Sequence, residues 1–246
     1  MQNIIRFLEL KFGNQLEASV SNMKISVIIP TLNEEEAIGK VLKEISETDI
    51  YEVIVVDSST DGTPKIAESL GAKVVSETRK GYGRALLSGV EKSKGDVVVY
   101  IDGDFTYDPK DIPRLVEPIL SGKCDVVMGN RLNNKMHPGA MGLVNRVGNT
   151  LLSLIFILVY LRKVNDTQCG LRAIRKKALK CISYEDYGMP HVTEQLIKLI
   201  KKGARIGNVA VTYRPRIGTT KLCTWIDGFK ILKVILAGTM TNKLRE

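Results

Sequence analysis

Two acidic residues, two positions apart, follow an apolar run near the middle of the chain. Asp102 and Asp104 flank Gly103 directly after residues 97–101, which read Val-Val-Val-Tyr-Ile. In extended backbone the two carboxylates point to the same side and repel each other, and a hard divalent cation relieves that repulsion. Mg²⁺ commonly binds one or two carboxylates together with phosphate oxygens of a substrate. A plain turn is the alternative, because Asp and Gly both favour turns.

A second acidic position follows an earlier apolar run. Asp57 comes directly after residues 53–56, where a carboxylate can accept hydrogen bonds from a base or a ribose. Three residues after the first apolar run could complete a nucleoside pocket: Pro30, Leu32 and Glu34. Asp57 and Asp61 could instead cap the turn into the next helix, and for Asp61 we favour that interpretation.

Basic residues form two loops that suit phosphate. Residues 79–84 read Arg-Lys-Gly-Tyr-Gly-Arg before a predicted helix, and backbone N–H groups at a helix start can bind phosphate. Residues 214–221 form a second basic loop after a predicted strand, and its arginines offer two-pronged contacts to phosphate. An exposed basic turn is the alternative for the first loop, and a solvated surface loop for the second.

These residues need a framework, and the alternation of apolar runs with helical patterns predicts one. Strands are expected at residues 25–29, 53–56, 73–75, 97–101 and 126–128. Their continuous β-branched composition is typical of strands buried on both faces, which predicts a Rossmann-like α/β fold with a mostly parallel sheet flanked by helices. Ligands bind beyond the carboxyl ends of such strands. Asp57, Asp102 and Arg131 all follow predicted strands, so we expect the site there.

The organisation changes after residue 140. We expect a helix at 141–161, helices near 175–181 and 192–202, a strand at 208–213, and a basic amphipathic helix at 224–237. Thr63 is expected to cap the helix after the second strand, with Pro64 at its first position. The uncharged run 147–161 is shorter than the roughly 20 apolar residues that span a bilayer, which indicates a buried or interfacial helix.

Composition limits the possibilities further. The chain has 246 residues, suiting one α/β domain, and a formal net charge of +9. That charge suits a polyanionic partner such as nucleic acid, an anionic membrane or a phosphorylated substrate, although a solvated basic surface is the alternative. Four dispersed cysteines and two histidines argue against a zinc site and indicate reduced, cytosolic thiols. Residues 1–22 lack the apolar core of a signal peptide, and either form a short amphipathic helix or precede a true start at Met23.

Six motifs in order resemble a known family. VIIPTLNEE, VDSSTDGT, KGYGRAL, DGD, GNR and R-x-G-x-x-K together resemble family 2 glycosyltransferases of the GT-A fold, and most closely the dolichyl-phosphate mannose and glucose synthases. The similarity runs from about Met23 to Lys221. DTQCGLR at 166–172 is more similar to glucose-type than to mannose-type synthases, which hints at UDP-glucose or a UDP-N-acetylhexosamine over GDP-mannose.

The resemblance implies roles for particular residues. Mg²⁺ or Mn²⁺ would bind Asp102 and Asp104. The nucleotide sugar would contact Pro30, Leu32, Glu34, Asp57, Lys80, Asp102, Gly103, Asp104, Arg216 and Lys221. The acceptor would contact Arg131, Arg146 and Gln168, and the catalytic set would be Asp104, Arg131, Arg216 and Lys221. Thr106 stands where mannose synthases often place a glutamine ligand, so water is expected to complete the coordination. The basic loop is one residue shorter than the family pattern, so either Arg214 or Arg216 takes the arginine role.

The function that the resemblance implies is inverting transfer of glucose, mannose or an N-acetylhexosamine. The donor would be UDP- or GDP-linked and the acceptor polyprenyl (dolichyl) phosphate, whose dianion, with a second pKa of about 6, needs no general base. Residues 1–22 would be an N-terminal extension, 23–221 the catalytic domain and 222–246 a C-terminal amphipathic helix. This helix and helix 141–161 would rest on the cytosolic face of a membrane, making the protein cytoplasmic and peripheral. They could instead pack on the core or form a homodimer. Nucleic acid is not an expected partner.

Three other functions fit parts of the sequence. A soluble or glycan hydroxyl acceptor would need a base, for which Glu185, Asp186 and Glu194 are the candidates. A sugar nucleotidyltransferase would carry a glycine- and arginine-rich loop after the first strand, whereas PTLNEEE is acidic there. A non-enzymatic nucleotide-binding scaffold subunit would have no need of the two carboxylates at 102 and 104.

Overall fold

The computed structural model describes residues 23–180, 182–185, 187–220 and 224–238. Its strands are β1 (Ile25–Thr31), β2 (Glu52–Asp57), β3 (Lys73–Ser76), β4 (Val97–Tyr100), β5 (Val126–Asn130), β6 (Arg172–Arg175) and β7 (Ile206–Ala210). Its α-helices are α1 (Ile38–Ser46), α2 (Thr63–Ser69), α3 (Tyr82–Lys92), α4 (Ile112–Leu120), α5 (Leu143–Tyr160), α6 (His191–Lys201) and α7 (Thr224–Ala237). Short 3₁₀ helices occur at Pro109–Asp111 and Lys176–Leu179.

The strands form one seven-stranded sheet in the order β3-β2-β1-β4-β6-β5-β7. Every pairing is parallel except those of β6, which runs antiparallel to both β4 and β5. The prediction of a mostly parallel α/β sheet is therefore confirmed, and the five strands predicted before residue 130 occur where the apolar runs placed them.

Helices cover both faces of the sheet. Because side chains alternate along a strand, Val27 and Ile29 of β1 contribute to one buried cluster and Ile28 to the other. Helices α1, α2 and α4 supply the first cluster, and α3, α5, α6 and α7 supply the second. The two-sided burial explains why the strands read as unbroken apolar runs.

The antiparallel strand β6 was not predicted, and the helix expected near 175–181 is a short 3₁₀ helix rather than an α-helix. Arg172–Arg175 forms the strand, and a 3₁₀ turn at Lys176–Leu179 follows it. Arg172 is 1% exposed and donates hydrogen bonds to the backbone carbonyls of Cys169 and Val192. Since β6 runs against its neighbours, its first residue lies at the carboxyl edge of β4 and β5. The segment before β6 therefore reaches the predicted site.

Two further predictions are wrong in detail. The strand expected at 208–213 lies at Ile206–Ala210. Thr63 does not cap α2 but is its first residue, and the Asp61 carboxylate accepts the Thr63 N–H at 2.9 Å. Asp61 thus caps the turn, as favoured above. The helices predicted at 141–161, 192–202 and 224–237 are confirmed as α5, α6 and α7.

Helix α5 combines length with unusual exposure. Counted over Leu143–Tyr160 rather than over the uncharged run 147–161, it is a helix among the described residues that is long and apolar enough, by length and composition, to cross a bilayer, and only 17% of it is buried in the protein. Its inner side carries Ser153 and Phe156, which are buried, and the Tyr160 hydroxyl donates to the Ile235 carbonyl of α7 at 2.8 Å. The helix is therefore attached to the domain by one side and exposes the other.

Candidate active site

The two central carboxylates lie at the carboxyl edge of the sheet, just beyond β4. Gly103 between them packs against β1, because a Cβ atom at this position would stand 2.9 Å from Thr31 Cγ2. Asp104 is 6% exposed and Asp102 is partly buried. Among the described residues, no three His, Cys, Asp or Glu side chains are grouped to hold a metal ion. A cation here would depend on two carboxylates, water and substrate phosphate.

Each oxygen of Asp104 has a defined partner. Oδ1 accepts hydrogen bonds from the Thr106 N–H at 3.0 Å and the Thr106 hydroxyl at 2.5 Å. Oδ2 accepts one from Arg216 Nη1 at 2.8 Å. Thr106 thus orients the carboxylate, a role different from the ligand role of the glutamine that it replaces in the family pattern.

Asp102 is oriented by a phenol. The Tyr82 hydroxyl at the start of α3 donates to Asp102 Oδ1 at 2.8 Å. Gly170 approaches so closely that a Cβ atom would lie 2.5 Å from Asp102 Oδ2. Burial, together with the Asp104 carboxylate, raises the pKa of Asp102 to about 6, although the Tyr82 hydrogen bond partly opposes this. A partly buried, oriented carboxylate beside a second carboxylate fits a divalent cation.

The two arginines of the 214–221 loop contact different carboxylates. Arg216 Nη2 contacts Glu34 Oε1 at 2.5 Å, and Arg216 Nη1 contacts Asp104. Arg214 instead contacts Glu44 at 2.8 Å and Asp108 at 2.6 Å, away from the two aspartates. Arg216 is therefore the arginine of this loop that reaches the carboxylates, while Lys221 lies outside the described residues.

The residues predicted to bind the nucleoside lie at or just beyond the carboxyl ends of the adjacent strands β1 and β2. Asp57 Oδ1 accepts hydrogen bonds from the Thr31 hydroxyl at 2.7 Å and the Ser59 hydroxyl at 2.6 Å. Pro30 lies in β1 beside Val56 of β2, and Leu32 is 45% exposed. Asp57 is therefore held rigidly at the same edge as Glu34.

The predicted acceptor residues fall into two groups. Arg131, 7% exposed, donates from Nε and Nη2 to both oxygens of Asp166 at 2.7 and 2.9 Å. Asp166 also accepts the Gln168 N–H at 3.2 Å, so Arg131 and Gln168 are joined through one carboxylate. Arg146 is exposed in the first turn of α5 and is not part of this cluster.

The glycines of the 79–84 loop are explained by packing. A Cβ atom at Gly81, whose φ is +133°, would lie 2.3 Å from the Tyr187 carbonyl oxygen. At Gly83 it would lie 2.3 Å from His191 Cγ. Arg79 pairs with Glu77, and Lys80 is exposed. Tyr82 is the residue of this loop whose side chain hydrogen-bonds to the carboxylate pair.

Three contributors were not singled out from the sequence as orienting groups: Tyr82, Thr106 and Asp166. Each acts by orienting a charged side chain. Tyr82 and Asp166 are 20 and 35 residues from their partners Asp102 and Arg131, so spacing alone carries little signal. Thr106, two residues after Asp104, is the one that a local turn pattern would have identified.

This chain is similar to known proteins over most of its length. A dolichyl-phosphate hexose transferase of Haloferax volcanii is 36% identical over 224 residues, covering 90% of this chain and 96% of the relative. A low-salt glycan biosynthesis hexosyltransferase of the same organism is 36% identical over 86% of this chain, which spans only 53% of that relative. Glucosyl-3-phosphoglycerate synthase of Mycobacterium tuberculosis, solved with Mn²⁺, UDP-glucose and phosphoglyceric acid, superimposes with a TM-score of 0.74 at 27% identity, covering 92% of this chain and 83% of that one.

The family itself is established by the breadth of the match. The Glycosyl transferase family 2 profile matches residues 26–183, which include β2 through β6, all but the first residue of β1, and both central carboxylates. The structural neighbour shares the fold over nearly the whole chain. This chain belongs to glycosyl transferase family 2 and is a glycosyltransferase of the GT-A fold.

Proposed function

We propose that this protein transfers a hexose from a nucleotide-diphosphate sugar to polyprenyl phosphate, with inversion and with Mg²⁺ or Mn²⁺ as cofactor. The observation that carries the proposal is the meeting of Asp102, Asp104 and Arg216 at one sheet edge. Two carboxylates and a guanidinium suit a cation-bound diphosphate. The relative that this chain covers almost completely is named a dolichyl-phosphate hexose transferase, which supports the lipid acceptor.

The donor would occupy the edge formed by β1, β2 and β4. Pro30, Leu32, Glu34 and Asp57 would contact the nucleoside, and Lys80, Gly103, Arg216 and Lys221 would join the two aspartates around the diphosphate. A bound divalent cation supplies charge that stabilises the departing nucleoside diphosphate. The protein groups contribute by holding the diphosphate in place before reaction. UDP as the nucleotide is supported by the structural neighbour that holds UDP-glucose.

The acceptor would approach from the side of Arg131 and Gln168, with Arg146 nearer the solvent. An acceptor phosphate with a second pKa of about 6 is largely dianionic at neutral pH and can attack the anomeric carbon without a base. Arg131 is fixed by its two-pronged contact with Asp166. A rigid guanidinium loses little freedom when it orients an anion, which favours this assignment.

A membrane surface would be the second partner. We define the apolar stripe of α5 as its exposed residues at helical spacing: Leu143, Val147, Leu151, Leu154, Leu158 and the adjoining Leu161. The adjacent α7 exposes Trp225 and Phe229. Exposed basic residues accompany both helices: Arg146, Arg162, Lys163, Lys230 and Lys233. An apolar face with basic neighbours suits an anionic bilayer surface, such as the cytosolic leaflet. Residues 23–221 would then be the catalytic domain, with 1–22 an extension and 222–246 a membrane-contact helix.

A soluble hydroxyl acceptor is the second candidate, because the structural neighbour was solved with phosphoglyceric acid. Such an acceptor needs a general base. Glu194 is 7% exposed and its Oε1 already contacts Lys198 at 2.5 Å, while the Glu185 side chain is 88% exposed. Asp186 lies outside the described residues. Neither described glutamate is placed as a free base beside the carboxylate pair, which favours the phosphate acceptor.

The deciding experiment is a donor screen on the full-length protein with polyprenyl phosphate and Mn²⁺. GDP-mannose, UDP-glucose and UDP-N-acetylglucosamine are run in parallel, and the glycolipid product is followed by mass spectrometry. We expect one donor to give polyprenyl-phosphate hexose. Transfer only to phosphoglyceric acid or another soluble acceptor would overturn the lipid assignment.

The same assay tests the carboxylate pair. Asp104→Asn should lower turnover at least about 100-fold, because several kcal/mol of leaving-group stabilisation are lost. Asp96→Asn is the matched control, since Asp96 is exposed at the opposite end of β4. The control should retain activity. Undiminished turnover by the Asp104 variant would refute the proposed cation site.

A further inference from the structure

Arg216 occupies the oxygen of Asp104, Oδ2, that a cation would need as a ligand. A carboxylate oxygen has two lone pairs, and those of Asp104 Oδ1 are both engaged by Thr106. Oδ2 remains, and Arg216 Nη1 contacts it at 2.8 Å. The guanidinium therefore stands where positive charge is required at this carboxylate.

Arg216 also contacts a second carboxylate and has one N–H group that donates no hydrogen bond within the described part of the chain. Its Nη2 contacts Glu34 Oε1 at 2.5 Å, so one cation joins two nearly buried carboxylates. Arg216 Nε is buried without a hydrogen-bond partner among the described residues. A buried unpaired donor is costly, so a ligand that used this N–H would be favoured.

The backbone of residues 214–217 is fixed independently of that side chain. The Arg214 N–H donates to the Thr106 carbonyl at 2.8 Å, and the Ile217 N–H donates to the Asp104 carbonyl at 3.0 Å. The Arg216 side chain is 24% exposed. Release of Asp104 thus requires only a rotation of the side chain, while the loop stays in place.

We propose that Arg216 is a displaceable substitute for the cation, so that the free enzyme binds the metal poorly until a nucleotide diphosphate draws the arginine away. The proposal rests on the function proposed above for the carboxylate pair. A diphosphate offers Arg216 a more highly charged, two-pronged partner than Asp104. Once Arg216 turns to the diphosphate, Asp104 Oδ2 is free for the cation. Binding of cation and of nucleotide is then mutually reinforcing through one side chain.

The test is a Mn²⁺ titration of the full-length protein without nucleotide, followed by the electron paramagnetic resonance signal of free Mn²⁺. Arg216→Gln should bind Mn²⁺ at least about fivefold more tightly than the wild type, the lower range of measured couplings between sites. Arg214→Gln is the matched control, because it removes the same charge from the same loop. The Arg214 side chain that it replaces contacts Glu44 and Asp108, not Asp104. This control should change Mn²⁺ affinity less than about twofold. Arg216→Lys keeps the charge but loses the two-pronged geometry of the guanidinium, so its Mn²⁺ affinity should lie between those of the wild type and Arg216→Gln.

A second titration should show the opposite effect of Arg216→Gln, namely weaker binding of the nucleotide. With EDTA present and UDP and GDP measured separately by calorimetry, Arg216→Gln should bind the preferred nucleotide at least about fivefold more weakly than wild type or Arg214→Gln. A purely structural role for Arg216 would weaken both ligands, and that result would overturn the proposal. Equal Mn²⁺ affinity of the Arg216 and Arg214 variants would also overturn it.

Asp104→Asn distinguishes failure of the proposed cation site from failure of the proposed role of Arg216. If Mn²⁺ binding depends on Asp104 but is not tightened by Arg216→Gln, the substitute role fails and the cation site stands. If Asp104→Asn leaves Mn²⁺ affinity unchanged when a saturating nucleotide diphosphate is present, the cation site fails and the substitute role fails with it.

Discussion

Two charged side chains in this site are oriented by neighbours that lie far away in the sequence. Asp102 is held by Tyr82 and Arg131 by Asp166. The sequence located Asp57, Asp102 and Arg131 at one edge of the sheet, because each follows an apolar strand and parallel strands bring their carboxyl ends to one edge. It could not predict their orienting partners, since a tyrosine at a helix start or an aspartate in a loop has many alternative roles.

The Arg131–Asp166 pair is deeply buried, and this makes it a sensitive structural element. Their side chains are 8% and 0% exposed, and the contact is two-pronged. Removing one member leaves a buried charge without its partner, which costs about 3–5 kcal/mol. We expect Arg131→Gln to lower the free energy of unfolding by that amount in urea denaturation.

Arg205→Gln is the natural control for this prediction. Arg205 makes the same kind of two-pronged contact with Asp125, but its side chain is 56% exposed. Solvent weakens such a pair, so its loss should cost less than about 1 kcal/mol. Equal losses for the two variants would show that burial is not what distinguishes them. The large expected loss also means that activity of the Arg131 variant must be compared at equal folded fraction.

At the scale of elements, the strands before residue 130 were predicted well, whereas β6 was missed. Long apolar β-branched runs leave little alternative to a buried strand, which is why β1, β2, β4 and β5 were located correctly. β6 has four residues with arginine at both ends, so it lacks the long apolar run by which a buried strand is identified from sequence. Arg172 is fully buried on backbone carbonyls, and only the tertiary structure provides those acceptors.

The loop between β3 and α3 is fastened by one carboxylate. Glu77, 5% exposed, accepts hydrogen bonds from Arg79 Nε at 2.8 Å and Nη2 at 2.7 Å, and a short one from the Ser88 hydroxyl of α3. The Arg79 hydrogen bonds, with that of Ser88, lower the pKa of Glu77 from 4.5 to about 2. Because the folded-state pKa is lowered, this stabilisation is present above pH 4.5 and is lost as the pH falls towards 2.

Glu77→Gln should therefore be less stable than the wild type at pH 7, and the difference should shrink as the pH falls below about 4.5. Thermal unfolding between pH 7 and pH 3 measures this. Glu68→Gln, at an exposed position in α2, is the control and should show a difference that does not change with pH in this way. A constant difference for the Glu77 variant would contradict the explanation.

At the scale of the whole molecule, net charge and exposed apolar surface point to the same partner. The chain carries a formal charge of +9, and the apolar stripe of α5 lies beside α7 with basic residues around both. The sequence predicted both helices but could not determine which sides are covered. The structure shows that α7 packs on the domain through Ile231 and Ile235, so deleting it would expose the core.

Substitution within the stripe is therefore the sharper test of membrane contact. We expect Leu151→Ser combined with Leu158→Ser to weaken flotation with anionic liposomes at least tenfold, since burying each leucine contributes roughly 1.5–3 kcal/mol. Tyr51→Ser combined with Leu70→Ser removes exposed apolar area elsewhere and should leave flotation unchanged. Neutral liposomes should bind the wild type less, because they lack the attraction to basic residues.

Sedimentation of the same variants tests the homodimer. If the stripe variant floats normally but changes from dimer to monomer, the stripe is an interface between two copies. If flotation is lost and the sedimenting mass is unchanged, the bilayer is the partner of this surface.

The exposure of α5 also bears on how the protein behaves during purification. A row of leucines facing plain buffer will adhere to chromatography resin, to plastic and to other molecules of the same chain. Elution volume in gel filtration should then depend on whether a mild detergent is added. A large apparent size in detergent-free buffer would reflect self-association through this surface. Kinetic assays without lipid would then measure only the fraction of the protein that has not self-associated.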